Sequence, residues 1–406
     1  MTFAEASMRN FIILSPQYPP RLRFFANRLK ARGFNVLGIG DADWGDLDPA
    51  LQADLGEYCR ADLSCYSCNE NPTGGKYASV LATVEYLKNK YGPVEYLESF
   101  NEWWLPLDAA LRRDLDIPGI KPAGLSPLIR KSLMKEKFRA AGVAVVEGGT
   151  VSGLEALLAF FERSGRDIVV KPDRGVGASD TYRIRSADEA RRFFSARNPS
   201  YPYFMEAFIG DPGRELYSFD GFTGASGEPV FFTCHRYNDG ILEVVEGNPL
   251  SYHNLRSDEI PADLKASGLA ALKAFGLKKN FFHIEFFRVN GTCFGLEINA
   301  RPPGVLTMDM INHSKGMDCW DLYARMCAGE SPAALFRRDM ICAYAARVTG
   351  KPYRLSHEEL LTRYAREIVH HMPMDSKVMG DYAYLVLTKT QERRAEIVGS
   401  INALRG

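Results

Sequence analysis

Glu285, Glu297 and Asn299 carry oxygen donors close together in this chain, and Arg301 follows two residues after Asn299. Side chains alternate along a strand, so Glu297, Asn299 and Arg301 share one side if the alternation continues. Hard oxygen donors of this kind suit magnesium, which takes one or two carboxylates together with substrate phosphates. A fixed guanidinium on the same side can stabilise a phosphoryl group in transit. Singly, each acid also reads as an outward strand position; the combination inside apolar strands points to chemistry. Asn290-Gly291 lies between the two β-rich segments and is a strong hairpin signal. Register then decides what the acids can do. A two-residue turn would pair Val289 with Thr292 and place Glu285 and Glu297 on opposite faces. A three-residue loop, Asn290-Gly291-Thr292, or an equivalent bulge sets the carboxylates directly across from each other. Like charges so opposed repel, which is costly without a cation and sensible with one. We therefore expect the three-residue loop or the bulge.

Upstream, Ile168-Val169-Val170-Lys171-Pro172 delivers a lysine into a loop carrying Gly175 and Gly177. Lysine is a compact cation for phosphate, and the glycines let backbone N–H groups approach an anion closely. Taken alone, this run also reads as a surface hairpin with a solvated lysine. Phe204 to Gly210 is apolar with one acid, Glu206, and Glu215 follows soon after. Such a strand can offer backbone donors, acceptors and apolar side chains to an adenine, and an acid can take ribose hydroxyls. His235 and Arg236 lie between these segments and the Glu285 region; each could hold a substrate carboxylate or serve in packing.

The elements that must position these residues follow from periodicity and punctuation. Phe11–Leu14 and Val36–Gly40 read as buried strands flanking a helix at Arg21–Arg32, which suggests a parallel α/β unit. Tyr77–Tyr91 reads as helix and Val94–Ser99 as strand. Prolines and glycines between Asp116 and Pro127 mark a domain boundary. A helix is expected from Leu128 to Ala141, then a strand-like Val143–Val146, then alternating strands and helices to about Phe336. Near the end, Ile341–Val348 reads as strand and Glu358–His370 as helix. Gly38 and Gly40 do not form a dinucleotide fingerprint, and Gly74-Gly75-Lys76 lacks the spacing of a P-loop.

With 406 residues, the chain suits two or three domains. Its 50 basic and 50 acidic residues balance, so the charge needed for binding a nucleic-acid backbone is absent. The N-terminal segment is far too short and polar for a signal peptide or membrane span, which gives a cytoplasmic expectation without a membrane partner. Of the eight cysteines, Cys59, Cys65 and Cys68 are the closest together, and Cys65 and Cys68 have no second pair or nearby histidine. They read as reduced structural thiols.

From about Leu128 to Glu330 the order and spacing of these segments resemble the ATP-grasp superfamily, in the branch of biotin carboxylase, purine-pathway carboxylate ligases and L-amino acid ligases. The superfamily pattern D-K-x-x-M-R/K followed by Ala-Gly-Val is matched by Arg130-Lys131-Ser132-Leu133-Met134-Lys135 and Ala141-Gly142-Val143. By that resemblance Lys131 and Lys171 hold phosphates with Gly175 and Gly177, Glu206, Phe208 and Ile209 contact adenine, and Glu215 contacts ribose. Glu285, Glu297 and Asn299 would hold the metal, with Arg301 and Lys171 catalytic. Arg130 replaces the usual acid, and Ala178 and Asp180 replace a serine and a glycine in the phosphate loop.

The resemblance implies an α/β fold with an α+β lid and an N-terminal Rossmann-like domain, divided as 1–122, 123–206 and 207–406. It implies ATP and magnesium, with manganese a possible substitute, and small carboxylate and amine substrates; a homodimer is plausible. A carboxylate would be activated as an acyl phosphate and captured by an amine. An ATP-dependent carboxylase, a phosphotransferase or a non-catalytic ATP-binding module are the alternatives on the same fold.

Overall fold

Strands β1 (Arg9–Leu14), β2 (Phe34–Gly40), β3 (Glu57–Arg60) and β4 (Val94–Glu98) form a parallel sheet in the order β3-β2-β1-β4. Phe11 to Leu14 are buried on both faces, as an all-parallel sheet sandwiched by helices requires. The structure is a computed structural model and describes residues 8–63, 72–175, 180–211, 213–238, 250–330, 336–376 and 379–405. Cys65, Cys68, Gly177 and Ala178 lie outside the described residues. Among those described, no helix is long and apolar enough to cross a membrane.

A second sheet of four strands contains β5 (Gly148–Thr150), β6 (Ile168–Pro172), β7 (Tyr182–Ile184) and β8 (Tyr203–Ala207), in the order β5-β8-β6-β7. Two helices, Leu154–Ser164 and Ala187–Ala196, cover it and share its own core around Phe160, Val170 and Phe193. The third sheet has eight strands: β9 (Glu215–Thr223), β10 (Pro229–Tyr237), β11 (Ser251–Asn254), β12 (Phe281–Val289), β13 (Thr292–Asn299), β14 (Ile341–Arg347), β15 (Ile368–Ser376) and β16 (Gly380–Thr388). Their order is β13-β12-β9-β10-β11-β14-β16-β15, with antiparallel pairing throughout.

The helix expected over Leu128–Ala141 is two helices, Pro122–Ile129 and Lys131–Ala140, broken at an extended Arg130 (φ −107°, ψ 115°). The second helix takes its N-terminal support from the end of β6. Lys131 N–H donates to the Asp173 carbonyl at 2.8 Å, Ser132 N–H to the Asp173 carboxylate at 2.8 Å, and Arg130 Nε to the same carboxylate at 2.9 Å. Helix-start donors are thereby satisfied from a different sheet. Leu125, Leu128, Met134, Phe138 and Val143 join the core of the large sheet, so the expected second unit, 123–206, divides between two cores. Val143–Val146 forms no strand; Ala144 makes an isolated bridge to Phe294. The helix expected over Glu358–His370 spans only His357–Arg363, because Ile368 onward pairs with β16 instead.

Gly295 on β13 sits under the helix Lys131–Ala140. A Cβ there would come within 2.9 Å of the Phe138 ring, and the Gly295 carbonyl accepts a hydrogen bond from Lys135 Nζ at 2.9 Å. Gly295→Val overpacks this contact. It should destabilise the protein by about 1–3 kcal/mol, read as a lower urea midpoint at unchanged m-value.

Candidate active site

The turn between β12 and β13 has two residues, with Val289 paired to Thr292 and both Asn290 (φ 50°) and Gly291 (φ 78°) left-handed. Those angles are the ones a two-residue primed turn demands. The three-residue loop does not form; the bulge does. Glu285 pairs with Glu297 and Phe286 with Gly295, so Leu296 is the extra residue that restores the phase. Glu285 and Glu297 consequently face each other on one side of the sheet, and Asn299 opposite His283 lies on that same side. Among the described residues no cluster of three or more His, Cys, Asp or Glu could hold a metal. Two carboxylates and an amide oxygen suit a hard cation that completes its shell with other oxygens rather than a fully caged one.

The same face carries a buried polar ladder across β9, β10 and β12. Asp220 pairs in register with His283, and Ser218 with both Glu285 and His235. Asp220 accepts from His283 Nδ1 at 2.5 Å and from His235 Nδ1 at 2.7 Å, and His283 Nε2 lies 3.3 Å from Glu285 Oε1. Burial opposes the charge on Asp220, yet His283 and His235 hold its carboxyl well below the usual range. Burial likewise disfavours a charged His283, but Asp220 and Glu285 outweigh it and raise the imidazole to about 9. The charged ring bridges Asp220 to Glu285 and so fixes where the latter points.

Three lysines converge from the neighbouring elements. Lys131, at the start of its helix, donates to the Gly175 carbonyl at 3.1 Å and stands 3.6 Å from Glu297. Lys171 on β6 and Lys135, one turn after Lys131, clasp Glu206 at 2.6 and 3.0 Å. Glu206 is thus no free hinge acid. Burial works against its charge, and Lys135 and Lys171 overcome that and set its carboxyl at about 2. Lys135 is completely buried; the matched pattern contains it, but its pairing with Glu206 was not foreseen, although its place four residues after Lys131 puts both on one helix face. Asp220 and His283 were missed as well; the signal was an acid and a histidine at even spacing from Ser218 and Glu285 inside apolar strands.

Other expected residues are placed less simply. Ile209 is buried and lines a cavity of about 380 Å³ with Val145, Val146, Val289 and Phe294. Phe208 lies under the guanidinium of Arg183, 3.8 Å from the ring centroid. Glu215 has different partners from Glu206. It is three residues from Ser218 and therefore faces the opposite way, where Arg236 and Arg288 each hold it at 3.0 Å and Arg288 also binds Asp263 of the helix Ala262–Phe275. Strand parity puts it on the side away from Glu285. Of the two residues between these segments, His235 is buried on Asp220 and Arg236 is paired with Glu215.

Arg301 leaves β13 toward the N-terminal sheet and pairs with Glu102 of the turn Glu102–Trp104, Nη2 to Oε2 at 2.9 Å. Both line a cavity of about 640 Å³ between the two bodies. Burial opposes the charge on Arg301, and Glu102, Glu285 and Glu297 together hold its pKa above the ordinary value.

Glu206 gives a pH test. With its folded pKa depressed from the ordinary 4.5 to about 2, its stabilising contribution is complete above about pH 5 and fades as the pH falls toward 2. The stability gap between the wild type and Glu206→Gln, from urea unfolding, should be widest near neutrality and narrow below about pH 4. A gap independent of pH would mean that Glu206 is not held as an anion.

No family model matches the chain. An L-arginine-specific L-amino acid ligase of Bacillus subtilis is 25% identical over 236 residues, a match that spans 57% of this chain and 57% of that protein. Among solved structures, an L-amino acid ligase from Bacillus licheniformis superposes with a TM-score of 0.72 at 15% identity, covering 97% of each chain. N5-carboxyaminoimidazole synthetase from Staphylococcus aureus gives 0.68 at 15% identity over 98% of this chain and 99% of that one. The biotin carboxylase domain of a Hydrogenobacter thermophilus 2-oxoglutarate carboxylase, solved with MgADP and bicarbonate, gives 0.68 at 14% over 96% and 88%. The N-terminal parallel sheet, the small four-stranded sheet and the large antiparallel one are thus the parts of an ATP-grasp fold, shared by this chain with the carboxylate-amine ligases it resembles.

Proposed function

We propose that this chain uses ATP and magnesium to convert a small-molecule carboxylate into an acyl phosphate and couples it to an amine, releasing ADP and phosphate. The observation that carries this reading is the bulge at Leu296, which places Glu285 and Glu297 face to face within reach of Lys131 and beside Arg301. A sheet gains nothing from two opposed carboxylates unless something cationic is meant to join them.

Glu285, Glu297 and Asn299 would hold the magnesium, or manganese in its place, which supplies Lewis-acid stabilisation of phosphate oxygens. Lys131 and Lys171 bring cations for the phosphates from two different elements, and Lys135 keeps Glu206 charged so that Lys171 stays in place. Gly175, and Gly177 outside the described residues, would offer backbone N–H groups to the phosphates. The segment Glu206–Ile209 supports adenine chiefly through its backbone and the apolar wall of Ile209 and Phe294, since the Glu206 carboxylate is occupied by lysines. Arg301 would meet the charge that develops on the transferring phosphoryl group, a role realised mainly in the transition state. Residues 148–207 would serve as the lid that excludes water from the acyl phosphate.

The direct test is acceptor-dependent ADP release across a panel of small acids and amines, with products identified by mass spectrometry. Activity should vanish on chelation and return with magnesium. Glu297→Gln should raise the magnesium requirement at least tenfold, and Lys171→Met should weaken ATP binding by calorimetry. Arg301→Ala should lower kcat by about 10²–10³-fold while ATP affinity stays within a few fold. An unchanged kcat in Arg301→Ala would take that residue out of the mechanism.

A further inference from the structure

A second cavity, of about 650 Å³, lies where three elements meet: the helix Leu105–Asp114, the helix Pro122–Ile129, and the small sheet at Arg174, Tyr201 and Pro202. It shares no lining residue with the cavity at Arg301. Lys131, Lys171, Glu285 and Glu297 do not line it either, so what it holds is not placed for phosphoryl transfer.

The charge of this cavity has one sign. Arg113, Arg130 and Arg174 line it, and no aspartate or glutamate does. Arg113 is anchored by Asp114, through Nε at 2.5 Å and Nη2 at 2.9 Å, and Arg130 by Asp173, through Nε at 2.9 Å. Both acids are divided between partners: Asp114 also accepts from the Tyr77 hydroxyl at 2.6 Å, and Asp173 from the Ser132 N–H at 2.8 Å. They steady the guanidiniums from outside the lining, and a guanidinium held by one edge has further N–H donors to give. Lys131 turns to Glu297 and the Gly175 carbonyl, whereas its neighbour Arg130 turns to Asp173 and this cavity. Arg130 stands where the resembled pattern has an acid, so the cationic wall is a feature of this chain. The helix Pro122–Ile129 also begins here, with Pro122 and Ala123 in the lining, and its first-turn N–H groups add the positive end of a helix dipole.

Beyond the arginines the walls are apolar and stiff: Pro72, Pro106, Leu125, Ile129 and Pro202, with the ring of Tyr201 among them. Inorganic phosphate alone would leave most of that space unfilled, and the volume is that of a site for a small organic ligand. A carboxylate brings one charge and two oxygens. A phosphate monoester brings close to two charges and three acceptor oxygens, which suits several guanidinium forks at once.

We propose that this cavity binds a small organic phosphate monoester, its phosphoryl group among Arg113, Arg130 and Arg174 and its apolar or aromatic body against the prolines and Tyr201, at a site separate from that of the nucleotide. The site stands whether or not the ligase reading does. Its walls come from the N-terminal helices and from the small sheet, so an occupant ties the two together.

Calorimetry on the full chain at about pH 8, where a phosphate monoester is doubly charged, tests the site with phenyl phosphate, inorganic phosphate and benzoate. Phenyl phosphate should bind at least tenfold tighter than either of the others. Arg113→Gln, at a side chain 53% exposed, should weaken phenyl phosphate at least fivefold and leave ATP affinity within twofold. Lys171→Met should do the reverse, weakening ATP and sparing phenyl phosphate. Ala123→Trp fills the space from an exposed position without changing any charge; it should abolish phenyl phosphate binding at an unchanged urea midpoint. Inorganic phosphate or benzoate binding as tightly as phenyl phosphate would overturn the proposal, since the arginines would then attract anions without a built site. Loss of phenyl phosphate in Lys171→Met but not in Arg113→Gln would place the ligand on the nucleotide's phosphates and overturn it as well, and so would undiminished binding in a folded Ala123→Trp.

Discussion

Two carboxylates held face to face across adjacent strands are the constraint around which this molecule is arranged. Glu285 and Glu297 are pushed together by a single extra residue, and their repulsion is met by cations delivered from every neighbouring element: Lys131 from a helix start, Arg301 from the strand exit, His283 from the next position along β12. Each cation in turn has a second duty. His283 answers to Asp220, Arg301 to Glu102 in another body, and Lys131 to the carbonyl of Gly175. The site is therefore a network in which charges are rarely free, and its members come from two of the sheets, a helix start and the turn Glu102–Trp104.

That organisation accounts for what was legible in the sequence. Strong periodicity and β-branched runs marked the N-terminal sheet, and the donor spacing in Glu285, Glu297 and Asn299 carried enough chemistry to require a bulge. The location of the bulge was not read from the sequence: Asn290-Gly291 satisfies a two-residue turn perfectly well, so the phase had to be corrected later, at Leu296, where the adjacent Gly295 is the one local sign. The partners of Glu215 were not read either. Strand parity, which is countable from Ser218, places it on the side away from Glu285, where two arginines meet it. Lys135 and Asp173 were hidden because their roles depend on partners forty or more residues distant. The break at Arg130 likewise depends on Asp173 and not on any helix breaker at that position.

Matches at 15% identity with TM-scores near 0.7 are understandable on these terms. The fold persists when apolar residues change so long as volume and pattern survive. Gly295 is an exception, since its lack of a side chain lets Phe138 settle directly on β13.

Asp173 closes β6 and at the same time anchors the first turn of the helix Lys131–Ala140, which belongs to the core of the large sheet. The small sheet is thus fastened at a point two residues from Lys171. In any rocking of that sheet, displacement grows with distance from the fastening: the outer helix Leu154–Ser164 sweeps a wide arc while Lys171 scarcely travels. The lever is short at the lysine and long at the rim, so the mouth of the cleft can widen without loosening the cation at its floor.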